Sequence, residues 1–182
     1  MPAAPERANA RSAILDAAQR VAVRDGAGHV TLDAVAREAG VSKGGLLYNF
    51  PNKEALLVAM LERMVDRIDH ELESYLETHR DDRNAMVKTL LRAVDLKECV
   101  DPQVKMAVLA AGAEKPELLD PIRRVYRKWL DRIRAESTDL DRDLMVWFAM
   151  EGIVFTSMLN VCPLDGEERE NLRRYLLRQV EG

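Results

Sequence analysis

Apolar residues recur at the spacing of an α-helix along most of the chain. Between residues 11 and 22, Ile14 and Val21 fall on one helical face, and the pattern stops at Gly26. The segment GHVTL, at residues 28–32, is the only one that reads as extended, and it is too short to found a sheet. The pattern therefore predicts an all-α protein.

Polar residues at the ends of the next helices predict where each of them begins. Thr31 is a good N-cap for a short second helix, which Gly40 closes. Ser42 caps a third helix, and Asn52 caps a long fourth helix that runs to about Leu76. The second and third helices, joined by a short turn, match a helix-turn-helix in outline.

Beyond residue 80 the chain changes to longer amphipathic helices. The dipeptides Asp101-Pro102 and Asp120-Pro121 each place a capping carboxylate ahead of a proline at the first helical position. Helices are predicted at residues 83–98, 102–113, 121–136, 140–160 and 166–180. The long fourth helix would join a small front domain to this larger rear bundle.

The composition is that of a soluble globular protein. The chain has 182 residues, of which 47% are hydrophobic and 32% charged, enough to build a sizeable core. No stretch has the pattern of a membrane span or of a signal peptide. Cys99 and Cys162 fit neither a disulfide framework nor a zinc spacing, so a cytoplasmic location is expected.

The charge distribution leaves a nucleic-acid partner open. The net charge of −4 at first argues against one. However, residues 1–55 hold seven Lys and Arg against six Asp and Glu, so the acidic excess lies in the rear of the chain. A front half near neutrality can present a basic face if its acids point elsewhere.

The stretch VSKGGLLYNF carries two adjacent glycines just inside the third helix. Each glycine costs a helix interior about 0.5–1 kcal/mol relative to alanine. In a helix-turn-helix, the second helix of the pair lies in the DNA major groove with its N-terminal residues nearest the bases. Gly44 and Gly45 would let the backbone approach DNA closely, and Lys43 beside them could donate to guanine.

Residues 10–57 resemble the DNA-binding domain of the TetR/AcrR family of bacterial transcriptional regulators. The ordered match is ARSAILDAAQRVAVRDGAGHVTLDAVAREAGVSKGGLLYNFPNKEALL, which includes the threonine that opens the second helix, the Ala-Gly-Val-Ser turn and the Lys-Glu-x-Leu start of the fourth helix. The all-helical rear suits the ligand-binding and dimerisation domain of that family. The segment LAAGAEKPELLDPIR is similar to one subgroup of those rear domains.

The resemblance implies DNA contacts throughout the front domain. Thr31, Tyr48 and Lys53 would touch phosphate, whereas Lys43 would face the bases. Leu47 stands where the family often has tyrosine, so one phosphate contact is missing. The DNA-binding residues expected on this basis are Thr31, Ser42, Lys43, Gly44, Gly45, Tyr48, Asn49 and Lys53.

Some of these residues have a purely structural alternative. Asn49, where the family often has histidine, reaches a base or phosphate or only caps the turn before Pro51. Phe50 is expected in the core and Tyr48 at the surface, with its hydroxyl in water or on phosphate. Without the resemblance, a generic three-helix bundle would fit these residues as well as DNA binding does.

The segment at residues 140–161 is apolar almost all the way round, as in a helix that is buried on more than one side. By the resemblance, this helix and the last one would pair with their copies in a homodimer. Two recognition helices would then meet a palindromic operator. The dimer-interface residues expected are Phe155, Met158, Leu172, Tyr175 and Leu176.

Aromatic and methionine side chains of the rear half fit a pocket for a hydrophobic effector, and they fit a helical core equally well. Glu151 is a polar anchor in such a pocket, a partner of an arginine such as Arg123, Arg127 or Arg132, or a residue at the solvent edge. The ligand-binding residues expected are Met106, Tyr126, Trp129, Trp147, Phe148, Glu151 and Phe155.

Sequence motifs for catalysis and metal binding fail. His70-Glu71 starts like a zinc-protease motif, but Ser74 takes the place of the second histidine. The segment that begins at Asp139 starts like a calcium loop, yet Leu144 replaces its required glycine. No catalytic residue, metal or cofactor is predicted, and an enzyme is not expected.

The function expected is that of a DNA-binding transcriptional regulator, a repressor, that acts as a homodimer. Residues 1–55 would bind the operator, and residues 56–182 would bind an effector and dimerise. The effector would shift the fourth helix and change the operator affinity. The alternative is an α-helical protein-interaction module without a DNA function, and salt-sensitive binding to duplex DNA separates the two.

Overall fold

The computed structural model describes residues 4–79, 82–92, 106, 109–110 and 112–181, and no strand occurs among them. Helices α1 to α5 are Ala4–Asp25, Leu32–Ala39, Lys43–Asn49, Lys53–Thr78 and Ala85–Arg92, and helices α6 to α8 are Asp120–Glu136, Leu140–Met158 and Gly166–Glu181. Two 3₁₀ turns lie at Ala27–His29 and Pro116–Leu119, and residues 112–114 are also helical. The predicted all-α fold class is confirmed.

The predicted caps of the front helices are present. The Thr31 hydroxyl oxygen accepts from the Ala34 amide at 3.2 Å, and the Ser42 hydroxyl oxygen accepts from the Gly45 amide at 3.0 Å. Gly40 ends α2 in the left-handed conformation, with φ of 67°, which glycine adopts without a steric penalty. Local polar chemistry therefore determines where α2 ends and α3 begins.

Several boundaries differ from the predictions; for example, α5 begins at Ala85 rather than at residue 83. Residues 28–32 do not form an extended segment as a whole: a 3₁₀ turn covers Ala27–His29, Thr31 is extended as the N-cap, and α2 begins at Leu32. Helix α1 begins at Ala4, ahead of its apolar pattern. Helix α6 continues directly from a 3₁₀ turn, so Asp120 is its first residue and accepts from Arg123 at 2.7 Å. The predicted Asp101-Pro102 start lies outside the described residues.

The described residues divide into two compact units. The first comprises residues 4–65 and the described residues between 106 and 123, and the second comprises residues 66–79, 82–92 and 124–181. The division along the chain falls inside α4 and again inside α6.

The first unit is built on a small apolar core. Helix α1 packs on α2, and α2 packs on α3. Ile14 and Val21 from α1, Val35 from α2 and Leu46 from α3 are completely buried. Burial of these side chains holds α3 in place, so its outer surface is presented by a fixed scaffold.

In the second unit, α8 packs against α5 and α7. Asp143, in the first turn of α7, is completely buried; Ser137 donates to its carboxylate at 2.6 Å and Arg142 donates to it at 3.1 Å. A buried carboxylate is costly unless it is paired, so these bonds fix the start of α7 next to the end of α6. Among the residues described, no helix is both long and apolar enough to cross a membrane.

Candidate DNA-binding surface and aromatic cluster

The predicted recognition helix, α3, buries one residue and exposes most of the others. Leu46 is completely buried, and Phe50, the C-cap, is 2% exposed. Tyr48 is 63% exposed and Leu47 is 37% exposed. The predictions of a core position for Phe50 and a surface position for Tyr48 are confirmed.

The two glycines of α3 have different surroundings. A Cβ atom added at Gly44 meets no atom within 4 Å, so its backbone faces open space. A Cβ added at Gly45 would lie 3.3 Å from the Ser42 hydroxyl oxygen, closer than ordinary van der Waals contact. Gly45 thus also makes room for the N-cap of its own helix, a role that the sequence pattern did not reveal.

Lys43 is not an isolated cation. Its ammonium nitrogen lies 2.9 Å from one oxygen of the Asp33 carboxylate and 3.2 Å from the other. Both side chains are well exposed, at 61% and 66%. The predicted base-reading lysine is therefore held by a carboxylate from the first turn of α2, and the sequence analysis did not identify that carboxylate.

The remaining predicted DNA contacts lie around α3. Lys53 is exposed at the start of α4, and no ion pair to it occurs within the described part of the chain. Thr31 is exposed at the start of α2, where its oxygen caps the helix and its hydroxyl hydrogen can still be donated. Asn49 donates its side-chain amide to the Gly45 carbonyl at 3.0 Å, inside its own helix.

The second unit contains a cluster of aromatic rings, which we call the aromatic cluster: Tyr126 and Trp129 from α6 and Trp147 and Phe148 from α7. The Tyr126 ring lies 5.3 Å from the Trp129 ring and 5.6 Å from the Trp147 ring, centroid to centroid. The Phe148 ring follows at 5.1 Å from Trp147. These separations are typical of favourable tilted ring pairs.

Glu151 lies at the polar edge of the aromatic cluster. The Tyr126 hydroxyl donates to one of its oxygens at 2.9 Å, and the Trp147 indole donates to the other at 3.1 Å. Burial raises the pKa of the Tyr126 hydroxyl well above its usual range, and the adjacent Glu151 charge raises it further. The structure therefore places a carboxylate among aromatic donors.

The other predicted effector residues have different positions. Met106 is helical and partly buried in the first unit, whereas the aromatic cluster belongs to the second. Phe148 is 60% exposed at the outer edge of the cluster, and Phe155 is 50% exposed on the surface of α7. Trp129 is almost fully buried and donates its indole N–H to Asp69 at 2.9 Å.

Large apolar side chains are exposed on α7 and α8, which pack against each other, and we call this set of residues the outer face. It contains Met145, Phe148 and Phe155 of α7 and Tyr175 of α8, each of which is at least half exposed. Met145 and Phe148 were not among the predicted interface residues, and Phe148 was predicted to bind the effector. The other predicted ones are more buried: Met158 and Leu172 are partly buried, and Leu176 packs within its own chain.

An ion pair in the first unit lies next to the predicted phosphate contact of α4. Lys115, which precedes the 3₁₀ turn Pro116–Leu119, donates to the carboxylate of Glu54. Glu54 directly follows Lys53 in the first turn of α4. The Lys115 ammonium lowers the pKa of the Glu54 carboxyl, mainly through this hydrogen bond.

Two family models match the chain. The model described as bacterial regulatory proteins, tetR family, matches residues 14–60, and the model described as tetracyclin repressor-like, C-terminal domain, matches residues 70–181. With the helix-turn-helix of α2 and α3, these matches define the class as helix-turn-helix regulatory proteins with a helical C-terminal domain. The chain belongs to the TetR family of bacterial regulatory proteins.

Curated relatives match parts of the chain. It is 30% identical over 115 residues to the HTH-type transcriptional regulator EthR of Mycobacterium tuberculosis, a match that covers 63% of this chain and 53% of EthR. It is 45% identical over 56 residues to the regulator RutR of Escherichia coli K12, covering 31% of this chain and 26% of RutR. The chain spans about half the length, or less, of these two relatives.

Solved structures match nearly the whole chain. A member of the TetR family from Streptomyces coelicolor is 22% identical with a TM-score of 0.69, covering 94% of this chain and 98% of that one. The multidrug binding protein EbrR, complexed with ethidium, is 23% identical with a TM-score of 0.67, covering 98% of this chain and 100% of that one. These likenesses show a shared fold.

Proposed function

We propose that the protein is a transcriptional repressor that binds a palindromic operator as a homodimer and whose operator affinity is changed by a hydrophobic small molecule. The observation that carries the proposal is the surface of α3, where Gly44 leaves the backbone open to the outside and Lys43 stands beside it. A helix of this kind can enter the major groove and bring a donor to guanine O6 and N7.

Phosphate contacts would position this helix on the duplex. Lys53 at the start of α4, Tyr48 on α3 and Thr31 at the start of α2 are all exposed and carry donors. Contacts of this type fix orientation without reading sequence. Asn49 and Ser42 would support the helix from within, since the first bonds to Gly45 and the second caps α3.

The homodimer would form through the outer face. Exposed aromatic and methionine side chains on neighbouring helices resemble an interface core more than an ordinary surface. A two-fold dimer places two recognition helices on two half-sites, which is how a short helix obtains sufficient affinity. Phe155 and Tyr175 would lie in this interface, together with Met158 and Leu172.

The effector would bind near the aromatic cluster. Aromatic rings that surround a few oriented polar groups are typical of small-molecule sites, and Glu151 supplies the polar group here. EbrR, the neighbour of known structure, is a multidrug binding protein complexed with ethidium. The effector can act only through its different affinities for the DNA-binding and released states. If the effector displaces Lys115, the ion pair between Lys115 and Glu54 would shift the start of α4, where Lys53 is the neighbouring residue.

The test is selection of bound fragments from sheared genomic DNA by the purified protein, followed by binding measurements on the recovered sequence. Lys43→Ala should abolish or relax sequence preference. Lys53→Ala should weaken binding to every duplex and, on the full palindrome, reduce the slope of log affinity against log salt by about 1.8, since each of the two protomers loses one phosphate contact. Arg134→Ala, which removes an exposed cation paired with Asp131 in the second unit, is the control.

Two outcomes would contradict this proposal. If the parent protein recovers no preferred sequence at any salt concentration, the helix-turn-helix serves as a scaffold for another protein. If Lys43→Ala and Lys53→Ala bind the recovered sequence like the parent, the surface of α3 is not the DNA-binding surface.

A further inference from the structure

The Asp33 carboxylate stands on the surface through which α3 would meet DNA. It lies in the first turn of α2, after the N-cap Thr31, and its side chain is 66% exposed. Both of its oxygens lie within 3.2 Å of the Lys43 ammonium. An ion pair this exposed contributes little to folding stability. Its main effect is therefore expected on the binding of charged molecules, such as DNA, to this surface.

A carboxylate at this place works against general DNA binding. Non-specific affinity arises from cations that neutralise phosphates, and Asp33 both repels phosphate and cancels the charge of Lys43. Asp33 should therefore lower the affinity for every DNA sequence that presents no hydrogen-bond donor to its carboxylate. A DNA sequence that presents such a donor keeps its affinity, and this difference in affinity is what makes the binding specific.

A G·C base pair offers partners to both side chains. In the major groove, guanine presents the acceptors N7 and O6, and the paired cytosine presents the donor N4 beside them. The ammonium of Lys43 and the carboxylate of Asp33 offer the complementary groups, a donor and an acceptor, 2.9 Å apart. Lysine contacts to guanine and aspartate contacts to cytosine N4 are both established pairings.

We infer that Asp33 is a specificity-determining residue, which accepts a hydrogen bond from cytosine N4 in the base pair whose guanine Lys43 contacts. This inference rests on the proposed function and names one of its recognition elements. Without Asp33, Lys43 would still contact guanine and phosphate, and discrimination against other base pairs would be lost.

The test compares the parent with Asp33→Ala and with Asp16→Ala on the selected operator, on operators changed at single base pairs and on random duplex, at one salt concentration. Asp16 is the matched control, since it is an exposed carboxylate paired with Arg63 and its replacement changes the net charge equally. Thermal unfolding of each variant shows that the fold is kept.

Asp33→Ala should bind random duplex more tightly than Asp16→Ala does, and its discrimination at one G·C pair should fall by roughly 5- to 150-fold, the range that one base contact supplies. Unchanged discrimination at every G·C pair overturns the inference, as does a loss confined to an A·T pair. If the parent itself selects no sequence, the proposed function fails and the inference falls with it.

Discussion

Gly44 and Gly45 are adjacent glycines with the same expected effect on helix stability, but the space around their Cα atoms differs. Gly44 faces open space, so Gly44→Ala should raise the free energy of unfolding by about 0.5–1 kcal/mol through helix propensity alone. The same methyl group would hold the backbone away from DNA, so operator affinity should fall. Chemical denaturation and operator binding measure the two effects.

Gly45→Ala provides the comparison at the next residue. Its added methyl group would press on the Ser42 hydroxyl that caps α3, so the gain in stability should be smaller or absent. Equal stabilisation by both substitutions would show that the N-cap adjusts freely. Unchanged operator affinity in Gly44→Ala would contradict the close approach of this backbone to DNA.

At the level of single residues, the sequence predicts those features, such as helix caps, that depend only on residues nearby in the chain. Thr31, Gly40 and Ser42 act within one helical turn, and each cap occurs where it was predicted. The Asp33–Lys43 pair was not predicted, because it joins two helices across a turn and depends on their angle. The bonds of Glu151 to Tyr126 and Trp147 require the packing of α6 on α7, which no local pattern gives.

At the scale of helices, α6 is tied to the rear part of α4 by ion pairs. Glu73 of α4 lies 2.9 Å from the Lys128 ammonium and 3.0 Å from the Arg132 guanidinium of α6. The hydrogen bond from Lys128 is the main cause that lowers the pKa of the Glu73 carboxyl below its ordinary value of 4.5. A lowered carboxyl pKa in the folded state stabilises the fold above the unfolded-state pKa.

Glu73→Gln should therefore weaken the pH dependence of stability in the acid range. In the parent, the contribution of Glu73 is complete above about pH 4.5 and is lost as the pH falls through the lower folded-state value. Denaturation at a series of pH values measures the slope. Glu77→Gln removes a carboxyl from an exposed position of the same helix, outside these ion pairs, and is the control. Equal slopes for Glu73→Gln and Glu77→Gln would contradict this role for the ion pairs.

Helix bounds were predicted best where the sequence contains start and stop signals, such as capping residues and prolines. Helices α6, α7 and α8 lie within two residues of their predicted bounds, since prolines and caps flank them. The start of α1 was not predicted, because residues 4–10 lack an apolar face. Residues 28–32 alternate like a strand, but their neighbours in the first unit favour a 3₁₀ turn followed by a helix.

At the scale of the whole molecule, the outer face is the proposed dimer interface. Phe148→Glu should weaken self-association by at least about 10-fold, since burying an aromatic side chain contributes about 1.5–3 kcal/mol and a charge there would be costly to bury. Affinity for the full palindrome should fall with it, whereas affinity for a single half-site should stay. Analytical ultracentrifugation and operator binding measure these quantities.

Val23→Glu is the control for this substitution. Val23 is 48% exposed on α1 in the first unit, so the same charge replaces an exposed apolar residue that is not part of the outer face. Self-association should match that of the parent. A dimer that survives Phe148→Glu, Phe155→Glu and Tyr175→Glu would show that the outer face has another use.

The aromatic cluster also gives the protein an internal optical reporter. The chain has two tryptophans, Trp129 and Trp147, and both are buried in the second unit with their indole N–H groups bound to carboxylates. The tryptophan fluorescence of an unlabelled sample, excited selectively over tyrosine, therefore originates in the second unit, whereas far-ultraviolet circular dichroism samples the helices of both units. Melting curves recorded with the two signals coincide only if the units unfold together.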